Sequence, residues 1–368
     1  MALTVADVMD ILERWAPAAL AYDWDRTGLN IGAPDAPLSS ALTCLSITRP
    51  AFDQARKAGA ELIVSHHPVL WEPLKTLRTD AANTRLCLDI ANAGMAALSL
   101  HTNLDVAPNG LNHLLAEKLG VEECTPLLAA PQAKQVKLVV FVPNTHLAVL
   151  REAVSQAGAG VIGDYTHCTF STPGTGTFLP GAGTNPFSGE KGQVNEEAER
   201  RFEVLVAEAR LGQVLAAMRE AHPYEEVAYD LYELNNTDPD VGLGLRGCLP
   251  KPVALADFAA HVRKALGVKH VRFAGQARRK VRTVAMLGGG GGGDAGKIPD
   301  DIDVYVTGDV KYHDALAAVE RGMAVIDATH EGTERFVAQA LSDYLRKACP
   351  DLTVRAYQEP EVFRVVTQ

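Results

Sequence analysis

Three short apolar segments each run straight into side chains that can bind metals, and this repeated junction is what most restricts the fold. Leu62-Ile63-Val64 leads into Ser65-His66-His67-Pro68, Ala96 to Leu100 into His101-Thr102-Asn103-Leu104-Asp105, and Ala324 to Asp327 into Thr329-His330-Glu331-Gly332-Thr333-Glu334. A short apolar run bounded by polar and turn residues is the pattern of a strand buried on both faces. Such strands belong to sheets covered by helices, which collect ligands at the carboxyl ends of their strands. Helical spacing over Val5 to Trp15, Asn83 to Ala93, His313 to Arg321 and Thr333 to Ala348 supplies the covering layer. Further strands are predicted at Ala41 to Ile47, Glu61 to Val64, Val281 to Leu287 and Val304 to Thr307. The chain therefore reads as an α/β protein in which residues 1–130 and 240–368 form two halves of one domain with a mostly parallel sheet. The three ligand-bearing strand ends then fit a rim at one edge of that sheet.

Residues 134–236 have a different rhythm. A strand at Lys137 to Val142 and a helix at His146 to Ala157 precede a strand-and-loop stretch rich in Gly, Thr and Pro. Then come an alternating strand at Arg201 to Val206, a helix at Leu211 to Ala221 and a strand at Val227 to Leu234. The order is that of a ferredoxin-like α+β sandwich, inserted into the α/β domain, with Asn235 to Asp240 as the exit linker. A chain of 368 residues is long enough for two or three such cores.

Composition removes several functions. No apolar run reaches the roughly 18 residues that a membrane span needs. The first residues hold Asp7 and Asp10 and no basic stretch before an apolar one, so the expected location is the cytoplasm. Six cysteines at 44, 87, 124, 168, 248 and 349 form no Cys-x-x-Cys pair and read as buried reduced thiols. A net charge of −10 opposes binding to a phosphate backbone.

The chemistry sits at the strand ends. Adjacent histidines leaving a strand can serve two metals or two corners of one site, and imidazole suits zinc, iron or manganese. Asp105 can bridge two cations, or it can be a turn aspartate before Val106-Ala107-Pro108-Asn109-Gly110. His330 and Glu334, four apart, share one helix face and can reach a single site. His101 can add a ligand or touch substrate, and Asp309 and His313 can orient ligands or carry a proton. His222, Glu225 and Glu226 can bind a metal or another small ligand, but a polar turn between helix and strand explains them more cheaply. Gly291 to Lys297 has the spacing of a phosphate loop, but Ile298 stands where a hydroxyl should be and Pro299 cuts the following helix short. A flexible flap over the site, with backbone N–H groups free for an anion, is the milder expectation for the glycine run 288–293.

The ordered set Trp24-Asp25, Gly28-Leu29, Gly32, Ser65-His66-His67-Pro68, His101 to Asp105, Thr307-Gly308-Asp309-Val310-Lys311-Tyr312-His313 and His330 to Glu334 resembles the GTP cyclohydrolase 1 type 2 family. Its members are also called NIF-three-like dinuclear-metal-centre proteins. The resemblance implies that His66, His67, Asp105, His330 and Glu334 bind two divalent metal ions, with Asp105 as the bridge; zinc, iron, manganese and cobalt all suit such ligands. It further implies a homohexamer and a hydrolase that attacks the imidazole ring of GTP, releasing formate and leading to dihydroneopterin triphosphate. Gly174 to Gly181 and His222-Pro223-Tyr224-Glu225-Glu226 resemble motifs of the family's PII/CutA-like insert. Two positions depart from the pattern: Thr329 where Gly is common, and Arg246 one place late. The alternatives are a metal-binding regulatory ring that senses a ligand through the insert and, more weakly, a ring around nucleic acid.

Overall fold

The computed structural model describes residues 3–366; Met1, Ala2, Thr367 and Gln368, the outer ends of the two predicted halves, lie outside the described residues. The chain forms two compact units, one that runs to Ala130 and resumes at Pro239, and one of Pro131–Asp238.

The first unit has two sheets where one was expected. In the first sheet the order is Gly28–Ile31, Ala96–Ser99, Leu62–His67, Ser40–Ser46, Thr353–Ala356. Its pairs are parallel except that Gly28–Ile31 runs against Ala96–Ser99. In the second the order is Arg272–Ala274, Ala324–Asp327, Val304–Thr307, Lys280–Met286, Gly242–Ala254, Glu122–Ala129. Only its two inner pairs around Val304–Thr307 are parallel; the rest are antiparallel. The rim of one mostly parallel sheet is thus corrected to the facing strand ends of two mixed sheets. Glu122–Ala129 and Gly242–Ala254 escaped prediction because both are only partly buried and broken by Gly or Pro, so neither shows a continuous apolar run. They also tie the halves together. Glu122–Ala129 comes from the N-terminal segment yet edges the second sheet, and Thr353–Ala356, near the C-terminus, edges the first.

Local signals set the helices that cover these sheets. Val5–Trp15 opens with a capping box between Thr4 and Asp7. Arg49–Ala58 opens with Thr48 accepting from the Ala51 N–H and closes at Gly59 with φ 68°. Phe52, Ala55 and Ile90 pack on Leu42, Cys44 and Ile63 of the first sheet, and Leu119, Phe258 and Val262 pack on Val284, Val304 and Ile326 of the second. The helix predicted over Thr333 to Ala348 is two, His330–Glu334 and Val337–Ala348. The longer one buries Val337, Ala338, Leu341 and Leu345, and its Ala338 carbonyl accepts from Thr43 Oγ1 at 2.6 Å. That contact fastens the chain leaving the second sheet onto the first.

The Pro131–Asp238 unit is a four-stranded antiparallel sheet in the order Thr169–Phe178, Asn195–Ala207, Lys134–Pro143, Tyr229–Thr237. The helices Leu147–Gln156 and Leu211–Ala221 cover one face through Leu150, Val154, Val214 and Met218. This is the ferredoxin-like order expected. Strand structure persists through Thr237, which shortens the expected linker. The six cysteines are unpaired, with Cys44, Cys87 and Cys349 buried and the other three only half-buried. Among the described residues no helix is long and apolar enough to cross a membrane.

Candidate metal centre

His66 and His67 belong to the strand itself, which keeps its pairing to the end, with Ser46 opposite His67. They do not stand in the loop expected after it. His66 is fully buried and His67 half-buried, with ring centroids 5.0 Å apart. Asp105 lies within a short helix, Thr102–Val106, and not ahead of one. From the second sheet, the turn His330–Glu334 begins after Thr329, whose φ of 66° and ψ of 154° are strained for a β-branched residue. A Cβ on the neighbouring Gly308 would overlap the His330 backbone N. The close approach of these two turns accounts for the tight backbone at Thr329, where its hydroxyl recovers part of the cost by accepting from the Gly332 N–H at 3.1 Å.

All five predicted residues meet. His66 Nε2 is 3.6 Å from Asp105 Oδ1 and 3.6 Å from Glu334 Oε1. Glu334 Oε2 is 3.1 Å from His67 Nε2 and 3.2 Å from His330 Nε2. Glu334 thus lies between the two groups, one oxygen to each side, and Asp105 Oδ1 lies near His66. The reason lies in the fold: Glu334 comes from the second sheet and points between two histidines of the first.

The outward nitrogens are each held. Nδ1 of His66 donates to the Leu100 carbonyl at 2.7 Å, that of His101 to Asp25 Oδ1 at 2.8 Å and that of His330 to Asp309 Oδ2 at 2.8 Å. His67 Nδ1 shares a hydrogen bond of 2.8 Å with Ser46 Oγ. Such anchoring fixes the ring and its tautomer and leaves Nε2 to a ligand, as in metal sites generally. At the focus, His66 Nε2, Asp105 Oδ1 and Glu334 Oε2 are buried and lack a hydrogen-bond partner among the described residues. Buried polar atoms are rarely left so, and cations placed on the two sides of Glu334 would satisfy all three. His66, His67 and His101 form one group able to hold a metal ion, and His67, His330 and Glu334 another.

The electrostatics follow from this packing. Burial, with Glu334 and Asp25 nearby, pushes Asp105 well above the usual carboxylate range. Glu334 is buried too, yet its three histidines hold it well below that range. Burial lowers His66, whereas the Glu334 carboxylate raises His330 to about 9. Asp25 is brought down to about 2, its burial outweighed by His101 and by Thr102, whose N–H and hydroxyl donate to Oδ2 at 3.0 and 2.6 Å.

The remaining candidates separate cleanly. His101 joins the cluster and Asp309 orients His330, but His313 is exposed, with its ring 5.1 Å from that of Tyr312. The glycine run is neither phosphate loop nor flap. Gly288 and Gly289 donate to Asn112 and Thr333, Gly292 donates to the Gly308 carbonyl, and Gly291 accepts from Tyr305. A Cβ on Gly289 would overlap Glu334 Oε1, so the run is a wall of the centre. In the insert, His222 is satisfied by the Phe141 carbonyl and the Tyr224 N–H. Asp25 and Ser46 had no assigned role; each acts on a histidine distant in sequence, and only the Trp24-Asp25 motif hinted at the first. Beside His101 stand Trp71, at 5.3 Å between centroids, and Trp24, at 6.2 Å, both more than half exposed.

A fold of two mixed sheets with a histidine and carboxylate cluster between their strand ends defines the class, and the sequence comparisons give the family. The chain belongs to the Duf34/NIF3 (NGG1p interacting factor 3) family, whose profile matches residues 3–361. A Halalkalibacterium halodurans protein named GTP cyclohydrolase 1 type 2 homolog is 41% identical over 345 residues, covering 94% of this chain and 92% of the relative. A Bacillus subtilis protein of the same name is 36% identical with the same coverage. The crystal structure of a Bacillus cereus protein related to NIF3 matches the whole of both chains with a TM-score of 0.85 and 37% identity.

Proposed function

We propose that the chain is a hydrolase dependent on two divalent cations, and that its substrate is GTP, opened at the imidazole ring with water consumed and formate released to give dihydroneopterin triphosphate. The observation that carries this reading is the shared treatment of four imidazoles, each anchored outward at Nδ1, three of which bring Nε2 to Glu334. His66, Asp105 and Glu334 Oε1 would hold one cation, and His67, His330 and Glu334 Oε2 the other, drawn from zinc, iron, manganese or cobalt. Bound there, the cations would supply Lewis acidity and lower the pKa of a water molecule towards neutrality.

The chain's own residues do the rest. Asp25, Ser46 and Asp309 keep the rings in register, which removes the entropy of finding them. Trp24 and Trp71 offer exposed flat faces beside the cluster, suited to a planar heterocycle. His101, oriented by the anionic Asp25, carries a proton between substrate and solvent. The relatives named GTP cyclohydrolase 1 type 2 homologs support the choice of GTP. A homohexamer is part of the reading, with Phe273 and Tyr312, exposed at the edge of the second sheet, as apolar surface for contacts.

The test counts metal per subunit in wild type and His330→Ala, then follows GTP loss and formate release. Metal-dependent turnover that disappears in the variant supports the hydrolase. Metal bound by wild type alone, with equal background turnover in both, overturns it and leaves the ligand-sensing ring, a reading favoured by a cavity in the insert.

A further inference from the structure

The Pro131–Asp238 unit has a half-open cavity of about 660 Å³, lined by its own residues. Small-ligand sites commonly occupy about 300 to 1,000 Å³. The floor is the strand Thr169–Phe178, and the connection that follows it, through Leu179 and Phe187, forms a wall. Glu225 pins that connection: its carboxylate accepts from the Asn185 N–H at 3.0 and 3.1 Å.

Within the lining Glu199 stands out. It is 8% exposed, its Oε1 accepts from the Tyr224 hydroxyl at 2.8 Å, and its Oε2 meets no donor among the described residues. A Cβ at position 176 would overlap this carboxylate, so Gly176 is what lets the acid lie against the strand. Burial and the Glu199 charge push the Tyr224 phenol up, which keeps it a donor. The carboxylate oxygen left over lines the cavity and is free to meet a positive partner. Arg201, the sole Lys or Arg of the lining, does not serve: its Nε donates to Glu203 at 2.9 Å and its guanidinium lies 6.0 Å from the Phe141 ring centre. With Glu225 and Glu226 also in the lining, the cavity's field is negative and repels phosphates and carboxylates. The walls are largely apolar, with Phe178, Phe187 and Tyr224 offering rings to a cation.

We propose that this cavity binds a small organic cation, an ammonium or amidinium on an apolar or aromatic body, with the charged head on Glu199 and the body between Phe178, Phe187 and Tyr224. The proposal holds whether or not the metal centre is a hydrolase. It gives the insert a ligand chemistry opposite in charge to GTP.

The test uses the full chain and two matched probe pairs: benzamidine with benzoate, and tryptamine with indole-3-acetate. Binding is measured by ligand-observed NMR and calorimetry on wild type, Glu199→Gln and Phe187→Ala. Glu199→Gln keeps an acceptor for Tyr224 and loses only the charge; Phe187→Ala removes a half-exposed ring and keeps the charge. The cations are expected to bind wild type, at least about tenfold more weakly to Glu199→Gln and more weakly to Phe187→Ala, while the anions bind none of the three. The proposal is overturned if neither cation binds wild type, if the anions bind as well, or if either variant keeps the wild-type affinity for the cations. Should Glu199→Gln fail to fold, the Phe187→Ala result decides.

Discussion

Glu334 and Glu199 are both carboxylates taken almost wholly out of water, at 3% and 8% exposure, yet the two regions treat the charge differently. Around Glu334 stand three imidazoles whose outward nitrogens are fastened, so lone pairs converge on a point small enough for an ion. Around Glu199 stand one phenol and an apolar hollow large enough for an organic molecule. A buried acid demands positive charge in either place. Its surroundings decide whether a metal or an organic cation supplies it.

The sharpest way to break this comparison is to neutralise each acid in turn. Glu334→Gln should lower metal affinity by more than about 100-fold and abolish metal-dependent turnover, since the residue serves both halves of the cluster; the outer partners of ligands are typically worth about 10- to 100-fold. Glu199→Gln should leave the metal content at the wild-type value. Elemental analysis of both variants checks the pair, and full metal content in Glu334→Gln would remove the contrast. Next in size, Asp309→Asn and Asp25→Asn should each weaken metal binding or turnover by about 10- to 100-fold without touching a ligand atom, read by competition with a chromophoric chelator.

Proton competition gives a third, smaller handle. His330 is raised from 6.5 to about 9, so the stabilisation it draws from Glu334 in the metal-free protein is complete below pH 6.5 and fades as pH climbs through 9. A metal must displace that proton, so affinity should rise by about tenfold per pH unit across this window and flatten above it. Asp25 has the opposite sign. Lowered from 3.8 to about 2, it contributes stability above pH 3.8 that drains away as pH falls towards 2, and Asp25→Asn should flatten acid unfolding over that range. The smallest effect belongs to Thr329→Gly, which relieves a left-handed backbone at the expense of a weaker cap and should stabilise the fold by about 1 kcal/mol in chemical denaturation. Destabilisation instead would mean that the Thr329 hydroxyl matters more than its strain.

Much of this was legible where the information is local. The helices Val5–Trp15 and Leu211–Ala221 match their apolar periodicity residue for residue, and the three strand ends delivered all five cluster residues. What failed was long-range. Nothing in Glu122–Ala129 says that it pairs with Gly242–Ala254, across the whole insert, and a four-residue strand such as Thr353–Ala356 carries too little pattern to find a partner. One sheet was therefore read where two exist. Asp25 and Ser46 stayed hidden for the same reason: their histidines are 76 and 21 residues away. Thr329 shows the converse, a departure from the common Gly that the sequence flagged and the backbone angle explains.

The central claim is that Glu334 divides one cluster into two cation sites, and calorimetric titration of the chelator-stripped full chain with zinc tests it most directly. Wild type should take up two equivalents, His330→Ala and Asp105→Ala one each, and Glu334→Ala none with high affinity. A single equivalent in wild type, or two retained in both His330→Ala and Asp105→Ala, would contradict it.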